Sequence, residues 1–376
     1  MKKIELLAPA GDLEKLKIAI DYGADAVYCG GELFSLRAGA KNLTIEQLTE
    51  AADYTSKNGK KIYLTVNIFA HNEDIVSLES YLRQISEIKF DGFIVSDPGV
   101  ISLIKEIIPD AILHLSTQAN TTNYKSAEFW HRNGIKRIVL ARELSLTEIK
   151  ELRQKLPASL ELESFIHGAM CISYSGRCLL SNFMAGRDAN RGECAHPCRW
   201  NYSLMEEKRP GEFYPVIEDE RGSYVFNSKD LCMIEHIPDL IDAGLDSLKI
   251  EGRIKSIFYV ATVVGAYRKA IDAYYENRSD YKFNPDWLDE VGKASHRLFT
   301  TGFYYNKPKE NEQNYETSQY IRDYTFVGLV KVYDSATGFA EVEQRNKISI
   351  GDEIEVFGPG LEYFIQTVDV MLNEEE

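Results

Sequence analysis

The sequence predicts a (β/α)8 barrel of the TIM type carrying a small C-terminal all-β domain. Three observations predict it. Over about the first 260 residues, short apolar runs alternate with amphipathic helical patterns, and the repeat occurs eight times. No Gly-x-Gly-x-x-Gly fingerprint follows the first strand, so the doubly wound alternative lacks its usual phosphate loop. From Thr325 the pattern changes to short strands separated by turn residues.

The first strand is expected at 4–8 and is broken by Pro9 and Gly11, after which Asp12 can cap a helix over 13–22. A second strand at 25–29 closes on Gly30 and Gly31. Thr44 and Gln47 form a capping-box pattern ahead of the next helix. Strands at 61–67 and 92–96 enclose a helix at 73–88, and the helix at 98–108 has Pro98 near its start. A fifth strand at 112–116 runs into the polar Thr117, Gln118, Ala119 and Asn120. Helices around 126–133 and at 146–155 flank a sixth strand at 137–141. The seventh strand is 160–166, the eighth is 247–251, and the last long helix is 258–275. The expected domains are a barrel over 1–279 with a Cys-rich insertion at 168–238, a helix (286–298) and linker over 280–322, and a β-domain over 323–376. Within the insertion, 201–228 suggests a hairpin around Lys208 to Gly211.

In a barrel the reactive groups gather where the strands end. The residues expected there are Pro9, Gly11, Gly30, Gly31, Asn67, Asp97, Gln118, Asn120, Arg142, Glu143, Glu163, His167, Glu251 and Arg253. A net charge of −15 over 376 residues argues against unspecific attraction to nucleic acid or anionic lipid. Any RNA contact therefore needs a local basic patch, for which Arg177, Arg187, Arg191 and Arg199 are candidates; ion pairing with Asp188 or Glu193 is the plain alternative. The N-terminus lacks the apolar core of a signal peptide and no run is long enough for a membrane span, so a cytoplasmic protein with no membrane partner is expected.

Cys171, Cys178, Cys194 and Cys198 fall within one polar stretch, and Cys232 follows. Thiols stay reduced in the cytosol, which disfavours disulfides. Soft thiolates select zinc or iron–sulfur clusters, and the long, irregular spacing suits a cluster better than a zinc knuckle. Four residues apart on a strand, Glu163 and His167 would point the same way, so a carboxylate could orient an imidazole for acid–base work. Cys171 with His167 offers a thiol–imidazole pair, and Ser175 offers a hydroxyl, though Gly-x-Ser-x-Gly and His-Glu-x-x-His are both missing. Glu251 and Arg253 could bind a small anionic substrate at the barrel mouth, with an internal ion pair as the alternative.

The run Glu-Ser-Phe-Ile-His-Gly-Ala-Met-Cys-Ile-Ser-Tyr-Ser-Gly-Arg-Cys at 163–178 resembles the signature of peptidase family U32. Leu-Leu-Ala-Pro-Ala-Gly at 6–11, Tyr-Cys-Gly-Gly at 28–31, Cys-Arg-Trp at 198–200 and Leu-Lys-Ile-Glu-Gly-Arg at 248–253 match it as well. The family name implies a protease, and some members are called collagenases. Better understood members imply oxygen-independent hydroxylation, in one group of the wobble uridine of tRNA with prephenate, in another of a ubiquinone precursor with a four-iron cluster on four cysteines. By position the resemblance makes Cys171, Cys178, Cys194 and Cys232 the ligands of a 4Fe-4S cluster, with Cys198 as an alternative to Cys194 and no role for Cys29. It also implies a fuller C-terminal β-domain than the sequence holds. The expected function is tRNA uridine hydroxylation, with a U32-type peptidase as the alternative and a non-catalytic RNA- or partner-binding protein as a third reading.

Overall fold

The computed structural model describes residues 3–35, 41–170, 173, 174, 178–189, 192–200, 203–205, 213–215, 229–306, 321 and 323–372. Eight parallel strands close into a ring. They are β1 (Glu5–Pro9), β2 (Ala26–Gly30), β3 (Lys61–Val66), β4 (Gly92–Val95), β5 (Leu113–Leu115), β6 (Ile135–Val139) and β7 (Glu161–Ala169), joined back to β1 by β11 (Ser247–Ile250). The connecting helices are α1 (Leu13–Asp21), α2 (Ile45–Lys57), α3 (Asn72–Ile85), α4 (Pro98–Ile107), α5 (Tyr124–Arg132), α6 (Leu146–Lys155), α8 (Ile237–Asp242) and α9 (Ile257–Glu276). The short helix α7 (Leu180–Ala185) and the hairpin strands β8 (Ser203–Met205) and β9 (Phe213–Pro215) lie in the insertion between β7 and β10 (Asp230–Cys232).

Local chemistry sets the helix starts. Asp12 accepts from Lys15 N at 2.9 Å, Asp97 from Gly99 N and Val100 N, and Asn123 from Ser126 N, while Thr44 and Ser145 complete capping boxes. Asp97 is thus a helix cap rather than a group poised for chemistry. The main apolar core fills the layer between the strands and the helices, and α9 contributes the most buried face to it.

Three details differ from expectation. β7 runs on to Ala169, three residues past the expected end, because β10 pairs antiparallel with its last turn: Cys232 opposite His167, Leu231 opposite Gly168 and Asp230 opposite Ala169. β12 (Phe299–Thr300) then adds in parallel to β10. The helix expected over 286–298 stops earlier, as α10 (Asp286–Lys293), which frees the following chain to reach the barrel. There Tyr304 is buried and its hydroxyl lies 2.7 Å from Ser164 Oγ and donates to Phe165 O.

The C-terminal unit is two hairpins, β13 (Gly328–Asp334) with β14 (Phe339–Gln344) and β15 (Glu353–Val356) with β16 (Phe364–Thr367). Phe326 stacks on Phe258 of α9, Phe357 meets Tyr22 and Phe258, and Lys293 pairs with Glu355 at 2.6 Å. Among the described residues, no helix is long and apolar enough to cross a membrane.

Candidate active site at the barrel mouth

Barrel interiors of this type are usually packed with branched apolar side chains. Here Leu7, Ala26, Tyr28, Tyr63 and Ile94 form a small apolar cluster of their own, and charged groups lie beside it. Arg137 on β6 reaches Glu5 of β1 at 2.5 Å and Glu163 of β7 at 3.0 Å, and its other amine reaches Glu161 at 2.6 Å. Lys249 on β11 binds the second oxygen of Glu163 at 2.9 Å. The Tyr63 hydroxyl donates to Glu5 at 2.7 Å, and Ser247 Oγ donates to it at 3.1 Å. The Arg137 guanidinium lies over the Tyr63 ring and the Lys249 ammonium over Tyr28.

Burial opposes the charge on Glu5, but Arg137 outweighs it and holds the carboxyl below its ordinary value. Glu163 is likewise held down, by Lys249 and Arg137 against burial. Burial pulls the Lys249 ammonium below its ordinary value, against the attraction of Glu163. His114 of β5, packed edge-on to Tyr63 with its Nδ1 unpartnered, is kept neutral by burial and by Arg137.

This geometry corrects the expectation for Glu163. The carboxylate sits low in the lumen, not on the rim, because β7 continues six residues beyond it. It does not orient His167. That imidazole lies in the layer between the wall and α9, with Tyr259, Tyr267 and Phe299 around it and Tyr267 Oη 3.4 Å from Nδ1. The shift of register between Lys249 and Ile250, where β11 meets β7, lies between the rows of the two residues. Burial first, and Lys255 second, lower the His167 pKa to about 3, so the ring is neutral.

The mouth is organised around residues 251–253. The Arg253 guanidinium is buried and Nη1 donates to Ser35 Oγ at 2.7 Å and Thr65 Oγ1 at 2.9 Å. A methyl group on Gly11 would land on the Arg253 carbonyl, and one on Gly30 would land on Ser35 Oγ and Arg253 Nη1. Gly168, at φ +108°, faces the Glu251 carbonyl, and Gly252, at φ +154°, faces the Tyr259 ring. Glu251 N donates to His167 O, and Tyr259 donates to Glu251 O at 2.8 Å. Glycines from four separate stretches of sequence therefore serve one purpose, which is to let the chain close around Glu251 and Arg253. Further round the rim, Asn67 Nδ2 donates to Ser116 Oγ, Gln118 and Asn120 follow on the same loop, and Arg142 lies flat over Phe165 at 4.0 Å while donating to Ala169 O.

The Cys-rich insertion leaves the barrel at Ala169 and returns at Asp230, which are paired, so it is tethered to the mouth. Cys171, Ser175, Arg177 and Arg191 lie outside the described residues, as does the turn expected around Lys208 to Gly211. Cys178, Cys194 and Cys198 are half-buried, Cys232 is buried with its Sγ 3.8 Å from Tyr267 Oη, and none of these forms a disulfide. Burial raises the Cys232 thiol to about 11. Among the described residues, no three Cys, His, Asp or Glu side chains gather around one point as a metal would need. By donor chemistry the thiols suit a soft metal centre, and their half-buried setting suits a shielded one. Cys29, buried within β2 and raised to about 12, belongs to the core.

Sequence reasoning missed Glu5, Tyr63, His114 and Arg137, and also Ser35 and Thr65 as the supports of Arg253. A signal exists for three of the first four: Glu5, Tyr63 and His114 are each a polar or ring-bearing residue inside an apolar run, whereas Arg137 follows the charged Lys136 and carries no such mark.

The model described as Peptidase family U32 matches residues 11–314, and the one described as Peptidase family U32 C-terminal domain matches residues 322–376. The chain is 47% identical over 374 residues to "tRNA hydroxylation protein P1" of Bacillus subtilis, covering 100% of this chain and 88% of that protein. It is 38% identical over 399 residues to "tRNA hydroxylation protein P" of Escherichia coli, covering 96% and 87%. It is 33% identical over 376 residues to "Collagenase" of Porphyromonas gingivalis, covering 97% and 89%.

Proposed function

The chain belongs to peptidase family U32, and from that premise we propose that it hydroxylates the wobble uridine of tRNA, independently of molecular oxygen, with an iron–sulfur cluster as cofactor and prephenate as oxygen donor. The observation that carries this reading is the 47% identity, along its whole length, to a protein named for tRNA hydroxylation. A cytoplasmic site of action belongs to the same reading.

The mouth supports it. Arg253, buried and steadied by two hydroxyls, and Glu251 beside it flank the place where a small anionic substrate would enter. Glu163 acts as a positioning residue: it fixes Lys249 and Arg137 beneath that place and so sets the charge under the bound molecule. Cys171, Cys178, Cys194 and Cys232 would hold the 4Fe-4S cluster, with Cys198 as the alternative to Cys194. When bound, such a cluster supplies electron transfer. His167, neutral and boxed by aromatic rings, can orient groups near Cys232 but is unsuited to general-base work.

The second reading, a peptidase, is favoured by the collagenase relative. It needs a nucleophile beside a base. Among the described residues, no thiol or serine hydroxyl hydrogen-bonds to His167, whose Nδ1 lies 3.4 Å from Tyr267 Oη.

Anaerobic purification followed by an absorption spectrum and iron and sulfide quantitation tests the cofactor. Bound iron and sulfide are expected, with near-complete loss in Cys178→Ala and Cys232→Ala and retention in one of Cys194→Ala and Cys198→Ala. An iron-free, folded protein that cleaves denatured collagen would support the peptidase reading instead.

A further inference from the structure

Four polar atoms on two neighbouring rim loops are buried and have no hydrogen-bond partner: Gln118 Nε2, Asn120 Oδ1 and Thr121 Oγ1 after β5, and Arg142 Nε after β6. Gln118 is 3% exposed and Thr121 0%. Buried polar groups are almost always satisfied, so four orphans on two loops bonded to each other call for a missing partner. Thr121 O accepts from Ala141 N, which ties the two loops together.

The amides are not oriented at random. Gln118 Oε1 is turned toward Ser116 Oγ at 3.4 Å, which leaves Nε2 facing away. Asn120 Nδ2 donates to Gln118 O at 2.8 Å, which leaves Oδ1 facing away. Asn120 holds φ +51°, a left-handed conformation that Asn adopts more readily than most residues. Arg142 is clamped from two sides, by Ala169 O and by the Phe165 ring. The orphan set therefore offers two donors (Gln118 Nε2 and Arg142 Nε), one obligate acceptor (Asn120 Oδ1) and a hydroxyl that can do either.

Donor, acceptor and donor are the complement of an imide edge, which presents carbonyl, N–H and carbonyl. Uracil carries that edge; cytosine, with an amino group and an unprotonated ring nitrogen, does not. We infer that the loops after β5 and β6 read the Watson–Crick edge of a uracil swung out of its RNA loop, with Asn120 accepting from the ring N–H and Gln118 and Arg142 donating to the flanking carbonyls. Bases that undergo chemistry are commonly extruded and read in this way. The inference rests on the proposed action on tRNA and assigns the groups that choose the base.

The test is equilibrium binding of the full-length protein to two anticodon stem-loop RNAs that differ only in uridine or cytidine at the wobble position, with thermal melts of every variant. The wild type is expected to prefer the uridine RNA by about tenfold or more, the scale of one good base-edge contact. Gln118→Glu replaces a donor by an acceptor and should erase that preference, with a melt lowered by the burial of a carboxylate but still cooperative. Asn120→Asp tolerates the left-handed backbone but loses the Nδ2 donation to Gln118 O that turns Oδ1 away, and should weaken the preference. Equal binding of the two RNAs by the wild type overturns the inference and leaves the proposed function standing. Failure of the wild type to bind either RNA overturns both. Retained preference in Gln118→Glu assigns the choice to other residues and also overturns it.

Discussion

Arg137 is the residue on which the barrel interior turns. It is 2% exposed and ion-pairs with three carboxylates from two strands. Removing one partner of such a buried network typically costs about 3–5 kcal/mol, because a charge is left without compensation. The same network gives a pH dependence. Glu5 and Glu163 have folded-state values below the ordinary 4.5, and His114 lies well below 6.5. For all three the unfolded chain binds more protons in acid than the folded chain, so stability is full above about pH 6.5 and falls as the pH drops. His114 alone contributes a slope of about 1.4 kcal/mol per pH unit below its unfolded value, and the carboxylates join it below about 4.5. Urea unfolding between pH 7 and pH 5 should show this loss, to which the neutral His167 adds a like slope, and His114→Phe should cut it by about half; an unchanged slope in that variant would exclude His114 as a buried neutral histidine. Glu251 and Arg253 were visible in the sequence as polar residues at the end of the eighth strand. Glu5 and Arg137 were harder to see: Glu5 is the single charge of its strand and Arg137 follows the exposed Lys136, so each looks like an outward-facing position until closure of the ring shows which side is inside.

At the scale of elements, the segment 251–253 and the glycines around it form one unit. The strands were legible because each is a short apolar run with a turn residue after it, and the capping residues marked the helix starts. β10 and β12 were not legible, because strands of three and two residues carry no period of their own and exist through pairing with the end of β7. That pairing lengthens β7, while the register shift where β11 meets β7 is why residue spacing alone misplaced Glu163 and His167 on one face. The motif glycines could be read as turn formers, but their contacts with Glu251 and Arg253 depend on the closed ring. Gly30→Ala should therefore push the Arg253 guanidinium off Ser35 and Thr65, with a stability loss of about 1–3 kcal/mol from overpacking. Its effect on tRNA hydroxylation should exceed that of Gly59→Ala, where no atom lies within 4 Å. Equal activity in the two variants would detach Arg253 from the reaction.

At the scale of the molecule, charge and topology bear on how RNA would approach. The net charge is −15, and the C-terminal unit over 323–372 sets Lys331, Arg345 and Lys347 against nine carboxylates. Electrostatics thus disfavours that unit as an RNA platform. The mouth carries Arg142 and Arg253, and the Arg-containing insertion is tethered there through Ala169 and Asp230. An RNA loop that enters at the mouth would meet the rim loops that carry Arg142 and the orphan amides. The central claim is that this chemistry ends in a modified tRNA. The most direct test is mass spectrometry of tRNA nucleosides from a strain lacking the gene, complemented with the wild type or with Cys178→Ala. Wobble hydroxyuridine is predicted to be absent in the deletion, restored by the wild type and not restored by Cys178→Ala; undiminished hydroxyuridine in a strain with no other copy of the family would contradict it.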